Sequence, residues 1–136
     1  MSYALSGPLQ TAVYDALRGD AALSSIVGSA IYDAVPIGAV PTIYVRLGGE
    51  EVIDASDFTG AGAVHTITVS VITTEPGFAL AKAAAGAISD LLHDADLTLS
   101  RGRLVSLFFQ QAKAVRIEAV SARQIDMRFR ARVQDG

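Results

Sequence analysis

The residues best suited to chemistry lie in one stretch, GGEEVIDASDFTGAGAVH, Gly48 to His65. It holds four carboxylates (Glu50, Glu51, Asp54, Asp57), four glycines and one of the chain's two histidines. Paired carboxylates can divide general acid and general base work, as in glycoside hydrolysis, so a small hydrolase using this loop is one reading. A calcium loop alternates acids in the order Asp-x-Asp-x-Asp-Gly and ends on a bidentate glutamate at its twelfth position. DASDFTG has neither. GAGAVH at 60–65 begins like a dinucleotide fingerprint, but its sixth residue is His65 and it leads into a strand pattern where that fingerprint needs a helix.

Other reaction templates fail as well. There is no Gly-Lys-Ser/Thr phosphate loop, no Gly-x-Ser-x-Gly elbow and no Ser-x-x-Lys. Without cysteine the chain has no thiolate ligand or nucleophile. His65 and His93 lack the spacing of a zinc pair. His65 is expected on the polar side where a strand opens. His93 falls in the last turn of a helix, where the dipole favours a solvated imidazole. Neither catalytic, metal nor cofactor-binding residues are assigned, and no cofactor is expected.

Glycine and acidic residues in a long connection are the composition of a pliable, partner-binding segment. Residues 49–62 are therefore read as a flexible glycine-rich acidic arm between two strands. Phe58 and the four acids are its candidate contacts.

The elements around the arm follow from periodicity. Leu9, Ala12, Val13, Ala16 and Leu17 form one helical stripe, with Ser6 or Gly7 as the cap and Pro8 in the first turn. Asp20 caps a short second helix over 21–27, ended by Gly28. DAVPIGAVP is a loop punctuated by two prolines. TIYVRLG alternates, with Ile43, Val45 and Leu47 on one side, and VHTITVSVITT alternates again. A helix with Thr73 or Thr74 as cap carries the stripe Ala81, Ala84, Ala85, Ile88, Leu91 and Leu92. Its other side is nearly as small and apolar, so a second surface is expected to cover Ala83, Gly86 and Ala87.

RGRLVSLFFQQAKAVRIEAV reads as a long strand. Val105, Leu107, Phe109, Val115 and Ile117 share a face, with a bend near Gln111 and Lys113. ARQIDMRFRARV is the most regular strand. Its outward side sets Arg128, Arg130 and Arg132 in a row about 6.5–7 Å apart. One reading of this row is a solvated face paired with Glu118 or Asp126. The other is a cationic surface facing phosphate or an acidic partner.

The order α, short α, β, β, α, β, β fits an α+β domain: a mostly antiparallel sheet of four or more strands with two main helices on one face. At 136 residues, 51% hydrophobic, one domain spanning 1–136 is expected. The net charge of −3 does not mark a generally nucleic-acid-binding surface. MSYALSGPLQ lacks a signal peptide's basic and apolar regions. No run of about 20 apolar residues offers a membrane span.

Taken in order, LQTAVYDALRGDAALSSIVGSAIYDAVPIGAVPTIYVRLGG, HTITVSVIT, AKAAAGAISDLLHD, LTLSRGRLVSLFFQQAKAVR and MRFRARV resemble the phage tail-terminator family. These are also called tail completion proteins and include the terminators of gene transfer agents. The resemblance covers residues 5–133. One departure is VSVITT, which lacks the tryptophan that members often carry there. The resemblance implies a structural role without catalysis, at the head–tail junction of a phage or gene transfer agent particle. A homo-oligomer, a hexameric ring, would cap the head-proximal end of the tail tube. The ring stops polymerisation of the tube protein, joins the head connector or stopper protein, and passes DNA through its hole. Each copy would bring three arginines to such a lumen. A head-closure or connector neck protein is the alternative within the same particle.

Overall fold

Residues 122–133 alternate more regularly than any other segment, and the sheet is built around them. The computed structural model describes residues 3–57 and 60–135. Its elements are α1 (Ser6–Gly19), α2 (Ala21–Val27), β1 (Ile31–Tyr32), β2 (Ile43–Asp54), β3 (Ala61–Thr73), α3 (Ala79–Leu92), β4 (Arg103–Ile117) and β5 (Ala122–Asp135). The strands form one sheet in the order β1-β2-β3-β5-β4. Only β1–β2 is parallel; the other three pairings are antiparallel.

The odd-numbered residues of β5, from Ile125 to Val133, are all buried. They join Val45, Val69 and Val71 and the helical stripes Leu9–Val13–Leu17, Leu23–Val27 and Ala81–Ala84–Ile88–Leu92 in one core. Among the described residues all three α-helices therefore lie on one face of the sheet, and none lies on the opposite face. This is the α+β plate that the alternation implied, with the two-residue β1 as an addition.

Local chemistry sets the element ends. The Asp20 carboxylate accepts the Leu23 N–H at 2.9 Å, and Gly28 leaves α2 at φ 62°. α1 and α3 start differently from the expectation. Leu5 and Phe78 occupy their cap positions without side-chain cap bonds. Ser6 Oγ instead donates to Glu50. Thr73 Oγ1 donates to the Thr42 carbonyl and accepts the Glu75 N–H, which postpones the helix to Ala79.

Two further readings are corrected. The arm is not an irregular connection: β2 runs on to Asp54 and β3 begins at Ala61, so most of residues 49–62 are paired strand. Pairing with β3 overrides the low strand propensity of Gly, Glu and Asp, at the cost of one bulge between Leu47 and Glu50. In β4 the five apolar residues do not share a face. The strand has two bulges, Leu104/Ser106 and Phe109/Gln111. Each bulge adds a residue and reverses the parity after it. Leu107 and Phe109 face the helices opposite Ala131 and Phe129, whereas Val115 lies opposite Gln124 on the helix-free face.

Candidate partner-facing surfaces

The acidic stretch is distributed over both faces of a long β2–β3 hairpin, so its four carboxylates do not converge. Glu50 pairs in register with Ile67 on the helix side. Its Oε1 accepts from Ser6 and its Oε2 lies 3.4 Å from His65 Nδ1. Glu51 points to the other face and meets Arg128 Nη2 at 3.3 Å. Asp54 accepts from Ser56 Oγ at 2.7 Å. Asp57 closes the turn, exchanging backbone and side-chain bonds with Gly60. Phe58 lies outside the described residues.

The glycines serve this hairpin by allowing close approach. A Cβ on Gly62 would stand 3.1 Å from the Ala55 carbonyl oxygen and 3.3 Å from that of Val133. The strand thus passes between two backbones where a side chain would crowd both.

His65 corrects its expected position. It is completely buried and lies in register with Ala131, on the core face. Its parity with Ile67, Val69 and Val71 was the available signal. Nδ1 is beside Glu50, and Nε2 has no hydrogen-bond partner among the described residues. His93 is exposed at the end of α3, but it is engaged too. Its Nδ1 accepts the Phe109 N–H at 3.0 Å and its ring lies 5.6 Å from that of Phe108. The imidazole therefore ties the end of the helix to β4.

Arg128, Arg130 and Arg132 do share one face, the one without helices. Arg128 takes Glu51 from β2 as its partner, not Glu118 or Asp126. Asp126 is occupied by Ser70 Oγ at 2.5 Å and Gln124 Nε2 at 2.8 Å. Arg132 donates to the Ala55 carbonyl at 3.4 Å. Arg130 is exposed. Beside this row the face dips into an open depression of about 570 Å³, lined by Arg46, Thr66, Thr68, Lys113, Asp126 and Arg128 among others. On α3, Ala83 and Gly86 are exposed, while Ala87 is half-buried against the core.

The apolar surface toward both ends of the sheet was not anticipated. Val105, Phe108 and Phe109 of β4 are 43%, 42% and 38% exposed, and Ile53 of β2 is 67% exposed. The bulges turn part of β4's apolar set outward, which alternation counted along the sequence could not show.

A one-sided α+β plate with a cationic bare face, apolar surface on its edge strands and dispersed carboxylates has the build of an assembly protein. The comparisons with known proteins agree. The profile of the family "Tail completion protein gp17" matches residues 11–134, and the chain belongs to that family. It is also similar to a chain in the solved structure "Virion of native gene transfer agent (GTA) particle". The two are 61% identical, with a TM-score of 0.93 over 98% of this chain and 99% of the other. No curated protein matches. The resemblance read from the sequence is thereby borne out: this is a structural virion protein of the tail.

Proposed function

We propose that the protein is a tail terminator: copies of it close into a ring, of six subunits, on the head-proximal end of the tail tube. There it stops tube growth and offers a seat for the head connector, and DNA passes through the hole. The observation that carries this reading is the near full-length likeness to a chain of a gene transfer agent particle, within a tail completion family. The surfaces support it. The helix-free face with Arg128, Arg130 and Arg132 suits a lumen that handles phosphate, since guanidinium groups bind phosphate oxygens in charge-assisted pairs. The small-residue face of α3 at Ala83 and Gly86 lets another protein surface approach closely.

The test is growth of purified tail tubes with and without the protein, followed by electron microscopy. Tubes of limited length with a six-fold ring at one end are expected. Tubes that grow past the added protein unchanged would refute the terminator reading. Rings that bind connector and ignore tube ends would favour a head-closure role.

A further inference from the structure

Gly86 stands in the middle of α3, where packing within the subunit does not require it. Glycine inside a helix costs stability relative to alanine. Gly86 is exposed, and a Cβ built on it would meet nothing within 4 Å. A helix with no side chain at one exposed point lets a second backbone approach closely there. Ala79 and Ala83, also exposed, keep the surface beside it low.

The charges of α3 are placed evenly about this glycine. Lys82 comes four residues before it and Asp90 four after, so the three share one helix face. Lys82 and Asp90 are exposed, as are Asp94 and Asp96 beyond the helix. No Lys or Arg occurs from residue 83 to residue 100. Negative charge at a helix C-terminus opposes the helix dipole. Among the described residues none of these three carboxylates has an ion pair or a side-chain hydrogen bond. Lys82 has no acid either, and lies over the Phe78 ring at 5.8 Å. The exposed face of α3 thus carries an unpaired cation toward its start and unpaired anions toward its end.

We infer that α3 packs antiparallel on α3 of a second copy, about a two-fold axis at Gly86. Charge complementarity selects this occupant. The antiparallel pair sets Lys82 of each copy against Asp90 of the other, about 6 Å along the axis from the crossing point. It also brings the acidic end of each helix beside the positive start of its partner. A parallel pair would set like charges together.

The contact extends sideways onto β4. The helix-facing side of that strand is uncovered at Ala112 and Ala114, and Phe109 there is 38% exposed. Helix end and strand are fastened together at this point. His93 Nδ1 accepts the Phe109 N–H, and the Asp94 N–H donates to the Leu107 carbonyl. A specific dimer buries roughly 1,200–2,000 Å² in total, and this strip adds to the helix crossing toward that area. A two-fold contact is closed and does not by itself make a ring. The inference is therefore independent of the ring reading: it concerns the free protein in solution and leaves the face with Arg128, Arg130 and Arg132 open.

The test is sedimentation equilibrium of the free protein at low salt, with circular dichroism as the control for folding. Wild type should form dimers. Lys82→Glu and Asp90→Lys each place two like-charge pairs in the contact, so each alone should weaken dimerisation on the order of tenfold or more. The double variant K82E/D90K exchanges the signs and should restore it. Gly86→Leu should abolish the dimer and leave the subunit folded, because leucine favours helix and its Cβ meets open space in the monomer. Wild type that sediments only as monomer, or only as six-fold rings, overturns the inference. A dimer that the single charge variants and a folded Gly86→Leu leave intact does the same. So does a folded double variant that pairs no better than the single ones.

Discussion

Glu50 and His65 sit side by side on the helix-packed face, Oε2 to Nδ1 at 3.4 Å, with the imidazole completely buried. Ser6 donates to the other carboxylate oxygen, so one glutamate joins α1, β2 and β3. An arm residue that looked free for a partner is a structural tie within the subunit. Replacing Glu50 with Ala leaves Nδ1 buried without a partner, and such a group costs about 1–3 kcal/mol. Glu50→Ala should lower stability by that amount in urea denaturation, and Glu50→Gln, which keeps an acceptor, by less. An alanine variant as stable as wild type would show that the tie is idle.

Gly102 opens the path into β4 at φ 66°, a left-handed conformation. A Cβ there would stand 2.7 Å from the Gln134 carbonyl oxygen and 2.9 Å from Leu5 Cδ2. The first is backbone of β5 and cannot swing away. Gly102→Ala should therefore cost about 1–3 kcal/mol or more, as a strained backbone position does. Thermal unfolding measures it, and an unchanged midpoint would mean that the turn shifts freely.

Arg101 and Asp135 hold the approach to β4 and the end of β5 together at 2.8 Å on the surface. The hydrogen bond from Arg101, aided by its charge, holds the Asp135 carboxyl below its ordinary value near 3.8, and the same bond raises the Arg101 guanidinium. Because the folded value is depressed, this pair stabilises the fold above the unfolded carboxylate value and is lost as pH falls through the folded one. The contribution is present above about pH 4, is lost below it, and is small for an exposed pair. In Arg101→Ala, carboxyl NMR should show Asp135 titrating at higher pH than in wild type. An unmoved titration would remove the pair from the account.

Much of this fold was legible because each cue was local. Asp20 caps its helix as its residue type suggests, Gly28 ends it, and β5 alternates without interruption. The missed features depend on partners far along the chain. The Phe109/Gln111 bulge in β4 reassigns Val115 to the other face, although it lies where Gln111 and Lys113 hinted at a break. The glycines and acids of 48–54 read as loop because β3, which makes them strand, lies beyond the turn. Arg128 and Glu51 are 77 residues apart, and a strand lies between them. No spacing rule reaches that far. The arginine row needed only strand parity and was readable for that reason.

That row carries the last prediction. Arg130 is exposed and Arg128 is held by the exposed Glu51 alone among the described residues, so neither supports the core. Arg128→Glu with Arg130→Glu should leave folding within about 0.5 kcal/mol per substitution, as surface changes do. Near phosphate the change is much larger: two cations in every copy become anions, on a face where charge-assisted pairs form with guanidinium. If this face lines the ring, the variant should assemble particles that retain or deliver less DNA, or close fewer rings. Particle yield and DNA delivery are measured side by side, with circular dichroism of the isolated subunit as the control. Normal particles with normal delivery would place the arginines away from the DNA path.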